Sequence, residues 1–320
     1  MNSDAYTIRP YKPGDEVSIN RGFNEVFGTA RSLEEWYWKF RPENDGSRIM
    51  VAVDAEKEVL AHFAATLTDV QIDGRVFRCG QSLDIFGLKR RVSLQHKLFA
   101  KTGNKFFDNF GAPDTVPIFY GFPGKRAHRH GQLEIGFGNS VPIWVGMKRV
   151  KNRRLIFKKT PEAGVFDLES AVKLWERVST RYPVSTIRDT NYLKHRYLDR
   201  PDNNYSYLQF GTGSETKAWS IVKIEKNVAV WADLVWDGES EDAIAALDDK
   251  VSRLARRAGA KLISMWISGD DAAKEVLKSI GWEFSEHPRQ VLAARSFHPG
   301  INSDNFIKRF YYTMGDSDMV

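Results

Sequence analysis

The sequence has very little cysteine: Cys79 is the single one in 320 residues. That excludes an intramolecular disulfide and any Cys-rich metal site built from this chain alone. It also has no run of about 18 apolar residues, the length a membrane-spanning helix needs. Met1 to Tyr11 is polar and charged where a secretory signal needs a continuous apolar stretch. These absences predict a cytoplasmic protein with no membrane partner. A disordered chain is excluded as well, because 42% of the residues are hydrophobic and nine are Trp, enough for a sizeable core.

What is present is unevenly placed. Residues 1–160 carry 26 Lys and Arg against 17 Asp and Glu, whereas residues 161–320 carry 21 against 24, so the net charge of +6 belongs to the first half. Two stretches lack acids altogether, Lys89 to Lys105 and Lys148 to Lys159. Either can meet an anion or form a solvated face. The second, with little periodicity, reads as a basic linker over 151–165 between a lobe of 1–150 and a lobe of 166–320.

Hydrophobic period then orders the elements. Pro13 to Gly28 predicts a helix with Val17, Ile19, Phe23, Val26 and Phe27 on its apolar face. Ser32 and Glu35 have the spacing of a capping box for a second helix, closed by Pro42. Strand patterns at 48–53, 59–72 and 76–86 form a meander with a turn at Asp73-Gly74. A helix over Ser93 to Asn109, a strand at 116–122, a basic loop or helical turn at Gly124 to His130 and a strand at 141–148 complete the first lobe. After the linker the same order returns: helices at 168–179 and from an Asp189 cap, strands at 205–210, 217–224 and 228–235, then helix, strand, helix and strand to Phe297. Ser240 is expected to cap the long helix that follows the third of these strands, and Gly259 to end it.

This order of elements resembles the GNAT superfamily, in particular bacterial acyltransferases with two GNAT-like lobes in one chain. The strings that carry the likeness are Ile8-Arg9-Pro10-Tyr11, Glu35-Trp36-Tyr37-Trp38-Lys39-Phe40 and Tyr120-Gly121-Phe122-Pro123. Arg188-Asp189, Tyr192-Leu193, Arg196-Tyr197-Leu198 and Gly315-Asp316-Ser317-Asp318 add to it. The resemblance implies an α/β fold with two mixed, twisted sheets flanked by helices. It also implies an acyl-coenzyme A, acetyl-CoA or a longer homologue, as co-substrate, its pantetheine arm entering where the central strands splay apart.

In such proteins the diphosphate meets a glycine-rich turn that opens a helix, where bare backbone N–H groups and the helix dipole attract anions. Here both glycines are replaced. The matching segment gives Arg90, Arg91, Ser93 and Gln95 as candidate diphosphate ligands, with the backbone of Leu83, Ile85 and Phe86 lining the splay. The corresponding turn of the second lobe, Trp236 to Asp242, carries four acids and would repel a diphosphate. The second lobe would then shape the acceptor site or hold a homodimer.

Acyl transfer to an amine needs a base, an oxyanion donor and an acid for the thiolate. The resemblance places Asp84 as the base, His128 and His130 facing the thiolate, and Tyr120 as the alternative acid. Each has a plainer reading: a capping carboxylate, a basic surface loop, a core aromatic. Two His one residue apart, with no carboxylate beside them, are a poor metal signal. Cys79 reads as a buried thiol. The function expected is N-acyl transfer to a small-molecule or saccharide amine. Two alternatives stay open: a GNAT-like protein without catalysis that binds a ligand or partner, and a Fem-like transferase using charged transfer RNA, which the basic half suits but no aromatic-interleaved basic motif supports.

Overall fold

The computed structural model describes residues 6–150, 167–211 and 213–319. The first half contains β1 (Thr7–Pro10), α1 (Asp15–Phe27), α2 (Leu33–Phe40), β2 (Ser47–Val53), β3 (Val59–Ile72) and β4 (Arg75–Gly87). It continues with α3 (Arg91–Gln95), α4 (Leu98–Phe110), β5 (Ile118–Gly121), α5 (Lys125–Ile135) and β6 (Ser140–Arg149). The second half contains α6 (Leu168–Val178), β7 (Val184–Thr186), α7 (Thr190–Leu193), β8 (Tyr205–Phe210), β9 (Ala218–Glu225) and β10 (Val228–Trp236). It ends with α8 (Glu241–Arg257), β11 (Leu262–Ser268), α9 (Asp271–Ser279), β12 (Glu283–Ser296), α10 (Ser303–Arg309) and β13 (Phe310–Thr313). The expected linker, 151–165, lies outside the described residues.

Local chemistry explains most boundaries. The Ser32 hydroxyl accepts from the Glu35 N–H at 3.1 Å and the Glu35 carboxylate accepts from the Ser32 N–H at 2.9 Å, a complete capping box. Asp189 and Asp270 cap α7 and α9 in the same way, accepting from Tyr192 and Ala273. Asp73 and Gly74 take φ of 50° and 79°, the left-handed pair that turns β3 tightly into β4.

Three expectations are corrected. The helix expected over 93–109 is two, broken where Lys97 adopts φ 51°. Ser240 stands at the start of α8 without capping it, because its hydroxyl is given to Asp237 at 2.8 Å. Val17, Val26 and Phe27 are exposed on α1, which turns its small side inward instead. A Cβ on Gly22 would sit 2.8 Å from the Phe86 ring, so helix and strand approach more closely than larger side chains allow.

The sheet runs β1-β2-β3-β4-β5-β12-β6-β11-β10-β9-β8, with β7 and β13 attached to β3 and β11. Most neighbours are antiparallel, but β4 and β5 are parallel, as are β10 and β11. Strand β12 of the second half lies between β5 and β6 of the first, and β6 pairs with β11. Each half thus donates a strand to the other's part of the sheet. An aromatic cluster of Phe63, Phe106, Phe107 and Phe119 fills the first half below α4, and Trp219, Trp231 and Trp236 lie in the core of the second, with α6 and α8.

Candidate functional site

The site begins where β4 loses a neighbour. Strand β4 pairs with β3 along its length, but on its other edge it pairs with β5 only at Gly80 and Gln81. After Gly121 the chain turns away toward β12, where Val291 donates to the carbonyl of Pro123. Because β4 and β5 run parallel, the loops that leave them emerge at the same end of the sheet. That end is where open α/β sheets bind ligands. These loops and the first turns of the helices they lead into carry Lys89 and Arg91 on one side and Lys125 and Arg126 on the other, all exposed and none in an ion pair among the described residues.

Just past the divergence β4 bulges. His62 faces Phe86 and Ala64 faces Leu83, so Asp84 and Ile85 together oppose the single residue Phe63. Asp84 takes φ 52° there, a conformation that Asp tolerates better than most residues. Its carboxylate is fully buried and held by two cations, Arg31 and Lys39, the latter at 2.7 Å. Burial raises its pKa, but these two charges outweigh it and hold the carboxyl below its usual range. The Asp84 carbonyl accepts from His62 Nδ1 at 2.7 Å. Burial drives His62 down to about 4, so its ring is neutral at physiological pH.

Above Leu83 and Gln81 opens a cavity of about 830 Å³ between the halves. Its walls are the α1–α2 connection, α2, the strands β3 and β4, the segment Ile187–Arg200 and the C-terminal Ser317 and Asp318. Seven Arg and Lys side chains line it against five acids. Lys39 joins the bulge to this cavity, because its ammonium reaches Asp84 and also Asp318, at 3.2 Å. Arg31, stacked 3.7 Å above the Phe23 ring, closes the other flank.

The second half repeats the arrangement and then fills it. Strand β10 pairs with β11 from Val228 to Trp231, after which the two part, and β10 bulges between Trp231 and Asp233. The space takes the chain's own C-terminal segment: Ile267 and Ser268 of β11 pair with Thr313 and Tyr312, and Thr313 donates to Asp233 at 3.0 Å. Arg188, fully buried, bridges Asp233 at 3.1 Å and Asp316 at 2.8 Å. Burial, added to the charge of Asp316, drives Asp233 upward although Arg188 opposes it.

The structure moves several expected residues out of reach of chemistry. Asp84 is not a free base, since its charge is matched twice over. His128 and His130 stand on α5, the helical one of the two forms expected for this segment; His128 is buried and donates to the Gly138 carbonyl at 3.0 Å, while His130 packs on Phe99. Tyr120 is a core aromatic against Phe306 and Phe310, its hydroxyl pKa raised by burial. Phe86 stacks on His62, Ile85 packs with Phe63 and Phe99, and Leu83 alone of the three lines the cavity. Arg90 is paired with Glu25 at 2.8 Å and Glu58 at 3.2 Å, Ser93 is buried, and Arg91 and Gln95 remain exposed. Among the described residues no cluster of His, Cys, Asp and Glu is arranged for a metal, and no helix is long and apolar enough to cross a membrane. The cavity residues Arg31, Arg41 and His195 were not singled out from the sequence, and Asp318 was named only within the string Gly315-Asp316-Ser317-Asp318. For Arg31 a signal existed: it immediately precedes the α2 cap, as Arg188 precedes the α7 cap.

No protein-family model matches the sequence, and no curated protein matches it. Solved structures do. A GCN5-related N-acetyltransferase from Anabaena variabilis superposes with a TM-score of 0.62 at 13% identity, over 92% of this chain and 73% of that one. A tandem GNAT protein from the clavulanic acid biosynthesis pathway gives 0.56 at 13% identity, over 92% and 100%. N-myristoyltransferase from Saccharomyces cerevisiae, with bound myristoyl-CoA, gives 0.57 at 11% identity, over 100% and 86%. At such identities the likeness is one of architecture, and the fold of this chain is that of the tandem GNAT proteins.

Proposed function

We propose that the chain transfers an acyl group from an acyl-CoA to an amine, with the first half holding the thioester and the cavity between the halves holding the amine. The observation that carries this reading is the divergence of β4 from β5 beside the Asp84 bulge, with a large polar cavity opening over the same stretch of β4. Neighbouring folds that take acyl-CoA, such as the myristoyl-CoA-bound transferase, support it.

Each residue then has a physical task. The exposed Lys89, Arg91, Lys125 and Arg126 attract the coenzyme phosphates at the mouth of the divergence. Backbone N–H groups of Leu83 to Phe86 are the donors for the oxyanion of the tetrahedral intermediate. The amine nitrogen forms its bond to the thioester carbon, the C–S bond breaks, and the thiolate leaves to be protonated by solvent. Asp318, exposed in the cavity and tied to Lys39, accepts the amine's proton. The buried Asp84 positions Lys39 and Arg31 and takes no proton.

One set of observations favours a second reading, a GNAT-like protein that binds without catalysis: the expected phosphate ligand Arg90 is already neutralised by two glutamates, and Ser93 is buried. Calorimetric titration with acetyl-CoA and a longer acyl-CoA decides between them. Binding weakened by Arg91→Ala and Lys125→Ala, but not by Arg90→Ala, upholds the transferase. A folded protein that binds neither coenzyme leaves only the second reading.

A further inference from the structure

Arg41 is a half-buried cavity cation that makes no ion pair among the described residues. It ends α2 at φ 42°, its N–H bonded to the Tyr37 carbonyl at 2.9 Å and its own carbonyl taken by Asn44 and Gly46. The backbone is therefore anchored, and the side chain lines the cavity within electrostatic reach of Arg78 and His195, which line it too. Its Nε is buried without a hydrogen-bond partner, and the side chain makes no ion pair among the described residues. A half-buried cation left this way has lost hydration without a replacement.

The place is a break in the sheet. The edge of β3 is covered by β2 as far as Leu67, whose N–H reaches the Gly46 carbonyl, and by β7 from Asp69, whose carbonyl accepts from Ile187. Between them Thr68 is uncovered and the cavity enters. Four of the five acids that line the cavity are committed elsewhere. Asp69 holds Arg78 at 3.0 Å, Glu35 completes the capping box, Asp189 caps α7 and Asp318 holds Lys39. Asp199 is exposed and makes no ion pair, and Glu43, the one acid that supports the Arg41 charge, is also exposed. Lys194 adds an exposed cation without an ion pair. Positive potential shows in the neighbours: burial and Arg78 push Arg41 down, and burial, Arg41 and Arg196 push His195 down to about 3.

Resting on the acyl-transfer reading above, we propose that the acceptor amine carries an anionic group, a carboxylate or a phosphate, that binds Arg41 in the break between β2 and β7. A guanidinium meets either anion through two parallel N–H donors, and the exchange returns to Arg41 the partner that folding removed. The cavity extends along β4 from Leu83 at the bulge to Arg78, a span of about 17 Å on the strand rise. The acceptor that reaches both ends is an extended molecule with its amine and its anion well apart.

The test titrates the full chain with three probes on one short spacer, which need reach only the Arg41 end of the cavity, hexylamine, 6-aminohexanoate and 6-aminohexyl phosphate, at low salt, and with acetyl-CoA separately. The expected result is binding of one anionic probe about tenfold or more tighter than hexylamine, the better one identifying the anion. Arg41→Gln then removes that preference, Arg41→Lys keeps part of it, Lys194→Gln weakens it by a smaller factor, and none changes acetyl-CoA binding. Equal binding of the three amines by the unaltered chain overturns the proposal, as does a folded Arg41→Gln chain that keeps the preference. Acetyl-CoA that fails to bind while the preference persists removes the acyl-transfer reading and leaves the anion site. Acetyl-CoA that binds with no preference removes the anion site alone.

Discussion

Arg31 forms a buried ion pair with Asp84, 53 residues further along the chain, and the second half contains the same pair. There Arg188 meets Asp233. In both halves the arginine immediately precedes a helix cap, Ser32 or Asp189, and in both the aspartate lies at a bulge in the central strand just past the point where that strand parts from its parallel neighbour. What differs is what enters the gap. In the second half the C-terminal segment occupies it and adds Asp316, so the network is sealed at 0% exposure. In the first half Lys39 takes the corresponding place and leads outward to the cavity.

That difference predicts the stoichiometry. A cleft filled by Thr313, Gly315 and Asp316 has no room for a pantetheine arm, since a Cβ on Gly315 would already lie 3.3 Å from the Ala232 carbonyl and 2.0 Å from the Tyr197 hydroxyl. Calorimetry with acetyl-CoA is expected to saturate at one coenzyme per chain, not two. Arg188→Met, which leaves Asp233 and Asp316 buried together without their cation, is expected to cost about 3–5 kcal/mol in denaturant melts.

Asp84 separates backbone from charge. Its left-handed φ of 52° suits Asn nearly as well as Asp, whereas Ala is strained there by roughly 1–2 kcal/mol. Both substitutions remove the charge that Arg31 and Lys39 face; Asn keeps one oxygen to accept from them, and Ala keeps none. Asp84→Ala is therefore expected to lose at least about 1 kcal/mol more than Asp84→Asn on the same denaturation curve, through backbone strain and the lost acceptors together. Equal losses would show that the bulge relaxes.

His62 sets a pH dependence. Its ordinary pKa is 6.5 and its folded one about 4. Between those values the unfolded chain binds a proton that the folded chain refuses, so stability falls as pH falls from 6.5 to 4, by about 1.4 kcal/mol per unit for this residue. His195, pushed down to about 3, adds in the same direction. Asp84 is outside this window, because a lowered carboxyl loses its contribution only below its ordinary 3.8. Chemical denaturation at pH 6.5, 5.5 and 4.5 is expected to show the slope, reduced in His62→Gln.

The elements were largely legible because their signals are local. The Ser32–Glu35 spacing, the Asp73-Gly74 turn and the Asp189 cap each act within four residues, and the structure has all three. The site was not, because its pairings are remote. Nothing near Asp84 in the chain announces Arg31 or Lys39, and nothing near Arg90 announces Glu25 and Glu58, so both residues looked free for chemistry. The α1 face failed in part for a related reason: its period marks Ile19, which is buried, together with Val17, Val26 and Phe27, which are exposed, while close packing on Phe86 selects Gly22. Strand exchange through β12 and β6 is equally invisible to period, since the pairing joins residues more than 100 positions apart.

Asp318 carries the last prediction. It is the carboxylate that lines the cavity while sharing Lys39 with the bulge, and its side chain is 31% exposed, so a proton taken from the amine can pass to solvent. If it acts as the base, Asp318→Asn lowers kcat by about 10²–10⁴-fold and leaves the binding of acetyl-CoA unchanged, because the proposed phosphate ligands Lys89, Arg91, Lys125 and Arg126 do not line its cavity. The loss should shrink as pH rises and more of the free amine loses its proton unaided. A variant that loses coenzyme binding instead would mark Asp318 as a positioning residue acting through Lys39, and a variant with full kcat would leave deprotonation to water.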